Sequence, residues 1–408
     1  VTTTITSQKR PPAFFGTGKN ATREGYQKQG RFPPVKILVT SLLTKQTRVF
    51  SDFLAYNFSS SVMVPVDSFS FTVATPNADP FYEQIKEGDL VTLTVNDIPL
   101  QTGMIDTINI QTDAKAGEQI SVEGRDLMGQ LEDQDAISLD AEPIFLNETT
   151  IENAARVLIN DTRIKGVNLV GNAPTGRFLF ATEPGEKKLS ALQRFLEGLN
   201  CIAWMAPDGS MNVGKPSFDS DKQGTFILSK QKRISNVSSM GVEYSSTGIA
   251  NIILPIWSGQ EIVQDRIGPA QAMLNDADGP TRLRKLGHRL PQSVVISTPD
   301  AQAAQGQQDL NTLALGNQTL LQAYGKREIA RQNVNEVVAR CQLPGHINQR
   351  GEPIQVDKIY HIEYDRGSLD RLMYLFQADY TLDETSGQRS ALYFTNLGTI
   401  VADARIRS

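Results

Sequence analysis

The sequence is poor in the residues from which active sites and cross-links are usually built. Its two cysteines, Cys201 and Cys341, lie far apart and support neither a disulfide framework nor a zinc cluster. Its three histidines, His288, His346 and His361, sit in no HExxH or similar metal-binding spacing. His361 alternates with strand residues and reads as a surface strand position. There is no G-x-S-x-G elbow and no Cys-His arrangement. Gly16-Thr17-Gly18-Lys19 has the look of a phosphate loop, but Ala13 stands where the P-loop needs glycine and Asn20 where it needs Ser or Thr. Asp276, Asp278 and Gly279 evoke a calcium loop, yet Pro280 takes a ligand position and the downstream glutamate is missing. These gaps point to no enzyme, no metal and no cofactor. Long apolar runs are lacking too, so no helix should span a membrane, and polar Val1 to Arg10 has no apolar core for a secretion signal. A net charge of −5 gives no overall pull toward nucleic acid or an anionic surface.

What the chain does have is period-two alternation. In the stretch Gly88 to Leu131, Val91, Leu93 and Val95 alternate with Thr92, Thr94 and Asn96; Ile105, Ile108 and Ile110 follow, then Ile120 and Val122. Such runs place their apolar side chains on one face, as half-buried strands do. Asn96-Asp97 and Asp113 to Gly117 supply the breaks. An antiparallel meander is expected, closing on a Gly124-Arg125-Asp126 turn and a short helical tail over Leu127 to Leu131. The pattern returns from Asp357: Ile359, His361 and Glu363 alternate with Tyr360, Ile362 and Tyr364, Leu372 to Leu382 makes a long strand, Asp383 to Gly387 a turn, and Leu392 to Phe394 its partner. Laid over one another, Asp89 falls near Asp357, Ile108-Ile110 near Tyr380-Leu382 and Gly117 on Gly387. The stretches read as two copies of one β-barrel module.

With 408 residues the chain should hold several domains. The expected class is α+β and β-rich: two similar antiparallel β-barrel domains with an α+β domain between them and a helical insert. Residues 1–34 form an extended arm, carrying Lys9, Arg10, Lys19, Arg23, Lys28 and Arg31 against Glu24, with Phe14, Phe15, Tyr26 and Phe32 as candidate anchors. Residues 35–135 form the first barrel, with strands at Val35 to Val39, Val49 to Phe58 and Ser68 to Val73 and a helical turn over Phe81 to Ile85. Residues 136–233 form the middle domain, with helices at Ile151 to Asn160, capped by Thr149-Thr150, and Leu189 to Leu199, then a hairpin around Pro207-Asp208-Gly209. Residues 234–256 with 335–400 form the second barrel. Between them, 257–334 hold the basic run Arg282, Arg284, Lys285, His288 and Arg289, read as a solvated face, and the start of a long helix running from Thr312 to Arg340, its last turns grading into the strand before Pro344. Glu132, Asp133 and Asp135 read as a helix-end acidic cluster, although a glycosidase also needs paired carboxylates.

Three segments carry a family resemblance: GMIDTINI with ISVEGRDLMGQLEDQDA; EKKLSALQRFLEGLNCIAWMAPDGSMNVGKP; and PIQVDKIYHIEYDRGSLDRLMYLFQADYTLDETSGQRSALYF. In that order they resemble the baseplate hub proteins of contractile-tailed bacteriophages and tailocins, the Mu-like tail hubs. The resemblance implies a structural, non-enzymatic homotrimer in the virion baseplate, made in the host cytoplasm. Its two barrels per chain would form a pseudo-sixfold ring adapting the sixfold tail tube to the threefold central spike, with a channel for DNA. The implied partners are tube or distal tube proteins, the spike and other baseplate proteins. Candidate contact residues are Phe14, Phe15, Arg23 and Arg31 on the arm and Leu372, Tyr374, Phe376 and Tyr380 on the long strand. A tail-associated peptidoglycan hydrolase and a nucleic-acid-binding tail component are the competing readings, the latter resting on the basic arm.

Overall fold

Val35, Ile37 and Val39 are buried and the residues between them half-buried, the period of a strand with one face on a core. The computed structural model of the chain describes residues 34–51, 53–75, 85–113, 117–138, 142–171, 173–199, 201–216, 221–229, 231, 234–244, 252–256, 274–275, 294–297, 337–383 and 385–397. Its fold is β-rich α+β. The first repeat comprises β1 (Val35–Thr40), β2 (Thr47–Phe50), β3 (Ala55–Ser61), β4 (Ser68–Thr75), β5 (Leu90–Val95), β6 (Ile98–Asp113) and β7 (Gly117–Asp126). They lie side by side, all antiparallel, in the order β3-β4-β7-β6-β5-β1-β2. Asn96 and Asp97 both take left-handed backbone angles, φ 52° and 62°, and so close the two-residue turn between β5 and β6. Gly124 belongs to β7 and not to a turn. A Cβ there would stand 2.1 Å from the Met104 carbonyl oxygen and 2.5 Å from the Phe69 ring, so the glycine is where the ring lies against the sheet.

The middle domain has its own core. Its elements are α1 (Gly129–Asp133), β8 (Phe145–Thr149), α2 (Ile151–Ile159), β9 (Val167–Val170), β10 (Phe178–Ala181), α3 (Lys188–Gly198), β11 (Ile202–Met205) and β12 (Met211–Gly214). The Thr150 hydroxyl accepts the Asn153 amide at 3.2 Å, capping α2, whose apolar stripe of Ile151, Ala154, Ala155 and Leu158 is buried. Leu189, Leu192 and Leu196 on α3 meet that stripe together with Met211 and Val213. β11 and β12 form the expected hairpin, and β9 adds parallel to β12. Arg125 at the end of β7 ties this domain to the first repeat, reaching Asp106 at 2.8 Å and Asp133 at 2.7 Å.

The second repeat comes from β13 (Gly224–Ser229), β14 (Ile234–Ser235), β15 (Ser239–Tyr244), β19 (Val337–Pro344), β20 (Lys358–Tyr364), β21 (Leu369–Asp383) and β22 (Gly387–Thr395). Here β15-β19-β22-β21-β20 run side by side and antiparallel, as β3-β4-β7-β6-β5 do in the first repeat. The registers also agree. Asp113 pairs with Gly117, and Asp383 pairs with Gly387. The ladder β6–β7 breaks at Asp106 and the ladder β21–β22 breaks at Phe376, which keeps the same sequence offset as the two turns. A bulge bends a strand and raises its twist, so both repeats bend at the same place. The two are joined into one 14-stranded sheet because β3 pairs with β21. One hydrophobic cluster runs through both, from Val35 to Phe394.

The structure departs from the sequence reading in four further places. The fixed offset puts Ile110 on Tyr380, two positions from the expected overlay; a slip of two preserves the face of every side chain, so alternation alone does not detect it. β13 joins the second repeat by pairing parallel to β20, outside the expected boundary. β16 (Ile252–Ile256), expected in the second barrel, instead pairs with β17 (Leu274–Asn275) and β18 (Val294–Ser297) in a separate sheet. Val337 to Arg340, expected as the last helical turns grading into a strand before Pro344, are already strand and open β19, where Val337, Ala339, Cys341 and Leu343 are buried at period two. Residues 81–84, the basic run and positions 312–336 lie outside the described residues.

Candidate functional site

The junction of the two repeats holds a group of buried polar side chains, among them Ser60, Ser61, Asp67, His346 and Ser390. β21 divides one of its edges: Leu369 to Leu375 pair with β20, and beyond the bulge Gln377 to Leu382 pair with β3. Across that seam the Ser59 hydroxyl donates to Asp379 at 2.8 Å. Behind it lies a chain of hydrogen bonds with no solvent contact at its centre, since His346 is 0% exposed. Ser390 donates its single hydroxyl proton to the Gly345 carbonyl at 2.9 Å. It therefore accepts from Nδ1 of His346 at 2.8 Å. Nε2 of His346 then accepts the Tyr56 hydroxyl at 2.6 Å. The histidine is neutral, and burial pushes its pKa down to about 3. Tyr56 comes from the first repeat, and His346 and Ser390 from the second, so the chain of bonds spans both. Serine, histidine and tyrosine could pass protons in an open cleft, but here each polar atom is used internally and the arrangement serves to hold the repeats together.

Two buried carboxyls lie beside the same seam. Asp67, between β3 and β4, accepts the Ser61 amide at 2.9 Å, and its carbonyl accepts the Asp126 amide at 2.8 Å. Asp126 in turn accepts the Met128 amide at 3.0 Å, fixing the turn from β7 into α1. Burial, and for Asp67 the charge of Asp126, push the pKa of Asp67 up to about 8 and that of Asp126 up to about 7. A raised folded pKa contributes stability that is complete below the ordinary carboxyl value and lost as pH rises through the folded value. Relative to Asp67→Asn, the wild-type protein should therefore lose about 1.4 kcal/mol per pH unit between pH 4.5 and 8. Urea unfolding of both proteins across that range checks this, and parallel pH profiles would contradict it.

Opposite the core, the joined sheet presents a polar face. One register row reads Arg389, Thr381, Asn57, Ser70, Glu123 and Thr107 across β22, β21, β3, β4, β7 and β6. Shallow hollows lie on this face, one around Asp379, Asp383 and Arg389 and another around Asp106, Glu123 and Arg125. Small hydroxyl and amide side chains between these charges offer many weak contacts.

The expected contact residues fall unevenly. Leu372 is 43% exposed on β21. Phe376 is the half-buried bulge residue, its ring 6.5 Å from that of Tyr393. Tyr374 and Tyr380 are fully buried in the single chain, their hydroxyls donating to Asp357 at 2.7 Å and to the Ile354 carbonyl at 2.6 Å. These two are core residues and not surface contacts, because β20, β22 and β3 enclose the strand between them. Phe14, Phe15, Arg23 and Arg31 lie outside the described residues. Glu132 and Asp133 pair with Arg125, and Asp135 with Lys187. His361 meets Asp370 at 2.9 Å on its strand. The sequence reading missed Tyr56, Asp67 and His346, whose importance comes from burial that no spacing reveals.

Residues 43–126 match the family described as "Mu phage baseplate assembly protein GpP-like, N-terminal". No curated protein matches the chain in sequence. Among solved structures, a tail protein from Neisseria meningitidis is similar, with TM-score 0.69 and 19% identity over 90% of this chain and 99% of that one. The prophage MuSo2 43 kDa tail protein from Shewanella oneidensis aligns with TM-score 0.68 and 16% identity over 89% and 98%. An E. coli component of the type VI secretion system aligns with TM-score 0.52 and 10% identity over 86% and 75%. At these identities the likeness is one of fold. Residues 43–126 are thus similar to the GpP-like N-terminal domain of Mu phage baseplate assembly proteins, and the fold of the chain is similar to that of solved phage tail proteins.

Proposed function

We propose that this protein is the baseplate hub of a contractile phage tail, a homotrimer whose six repeats form a ring between the sixfold tail tube and the threefold central spike. The observation that carries this reading is the internal repeat. Two modules of one strand order, joined edge to edge through β3 and β21, give each chain two nearly equivalent surfaces, and three chains give six. The polar face of the joined sheet, with its small hydroxyls and scattered carboxylates, would line the channel, where weak contacts let DNA pass without binding. The arm, residues 1–34, would pack on a neighbouring tail component. The role is structural: the serine, histidine and tyrosine of the junction are spent inside the core, and Glu132, Asp133 and Asp135 are in ion pairs.

Size-exclusion chromatography with light scattering tests this directly. The expected mass is three times the 44.9 kDa of one chain. A protein that stays monomeric at micromolar concentration and also inside assembled particles would overturn the reading.

A further inference from the structure

The seam inside the chain has a counterpart that the single chain leaves open. On β21, the edge beyond the bulge is covered by β3. On β6, the equivalent strand of the first repeat, β5 covers Ile98 to Met104, and beyond the bulge Thr107 to Thr112 have no partner strand on that edge among the described residues. The strand equivalent to β3 is β15. Tyr56 pairs with Phe71 and Met240 with Cys341, and Phe71 and Cys341 are related by the same offset as the two bulges. β15 pairs with β19 on one side and with no strand on the other among the described residues. Each repeat thus has one open edge, each presenting both backbone N–H and C=O groups, and the two edges are the counterparts of two strands already joined within the chain.

We infer that β6 beyond its bulge pairs antiparallel with β15 of a second copy of this chain, repeating between chains the β21–β3 seam. The inference rests on the ring proposed above and adds its residues and register. In the chain, Tyr380 faces Phe58 and Asp379 faces Ser59. Transferred to the equivalent positions, Ile110 faces Val242 of the second copy and Asn109 faces Glu243. The chemistry suits this. Ile110 is 43% exposed where its counterpart Tyr380 is fully buried, so the contact would cover an apolar side chain the single chain leaves in solvent. The Asn109 amide can donate to the Glu243 carboxylate, as the Ser59 hydroxyl donates to Asp379 in the internal seam. The run Thr107-Ile108-Asn109-Ile110-Gln111-Thr112 also lacks the lysine, proline or other charge that usually guards an open edge. Because the two edges lie on different repeats, the contact is heterologous and propagates from chain to chain until the ring closes.

Disulfide trapping tests the register. Residues facing each other across antiparallel strands have Cα atoms about 4.5–5.5 Å apart, within disulfide reach, whereas a shift of two positions moves them to about 7–8 Å. In the full chain, Asn109→Cys with Glu243→Cys should give a covalent trimer as the main band on a non-reducing gel after mild oxidation. Each single variant, and Gln111→Cys with Glu243→Cys, should not. The native Cys201 and Cys341 are buried and stay out of the reaction. Ile110→Asp should convert the trimer to a monomer in light scattering while leaving the circular dichroism spectrum unchanged. A trimer by light scattering that does not cross-link at 109 and 243 overturns this pairing and leaves the hub reading standing. A monomer throughout overturns both. A cross-linked ring of another size upholds the pairing and overturns the trimer.

Discussion

Replacing Tyr380 by aspartate will unfold both repeats together, whereas the same change at Ile110, its counterpart in the first repeat, will leave the single chain close to wild-type stability. Tyr380 is fully buried on β21, with Ser390 on β22 to one side and Phe58 on β3 to the other. The substitution removes a large aromatic, strands the Ile354 carbonyl that its hydroxyl bonds at 2.6 Å, and buries a carboxylate with no cation beside it. Loss of a buried aromatic costs about 3–5 kcal/mol, and the uncompensated polar burial adds to it. That is a large fraction of the whole stability of a domain. Ile110 is 43% exposed, and a surface change of this kind falls within about 0.5 kcal/mol. Because one hydrophobic cluster runs through both repeats, urea should unfold the Tyr380→Asp protein, where it still folds, in one early transition for both. Two separate transitions, or equal costs at 380 and 110, would show that the repeats do not share a core.

The contrast between those positions marks how far the sequence could be read. Alternation located the strands because each has one face on the core, as at Val91, Leu93 and Val95 or Phe69, Phe71 and Val73. Turn residues located the breaks: Asn96 and Asp97 are left-handed, as is Gly387. The helices over Ile151–Ile159 and Lys188–Gly198 followed from their apolar spacing and, for the first, a threonine cap. Pairing is another matter. Which strands adjoin depends on contacts between residues far apart in the chain, such as Tyr380 with Phe58, and a period of two fixes a face but not a register. For the same reason Tyr374 and Tyr380 read as available aromatics on a long strand, when both are enclosed on either side. The buried polar residues at the junction were invisible altogether. A histidine after Gly345 and an aspartate after Val66 acquire their roles only from the walls around them, which belong to other segments of the chain.

His346 should make this seam sensitive to acid, where the buried carboxyls make it sensitive to base. His346→Ala leaves a cavity, deprives the Tyr56 hydroxyl of its acceptor at Nε2 and removes the donor to Ser390. A cost of roughly 3–5 kcal/mol is expected at pH 7. That difference must shrink in acid. The folded pKa of His346 is pushed down to about 3 by burial, below the ordinary value of 6.5. The unfolded chain therefore takes up a proton between those values when the folded chain does not, and stability falls as pH falls. The histidine's contribution is complete above about pH 6.5 and declines by about 1.4 kcal/mol for each unit below it. The variant has no group to protonate at this site. By pH 4 its deficit against wild type should narrow by about 3 kcal/mol, nearly closing the gap seen at neutral pH. Paired urea titrations at pH 7, 5.5 and 4 measure the narrowing, and taking the difference between the two proteins removes the titration of carboxyls that both contain. A deficit that stays constant with pH would mean that His346 is protonated, or open to water, in the folded chain, and that the repeats are held at this seam by the apolar contacts of Phe58, Phe69 and Tyr380 without it.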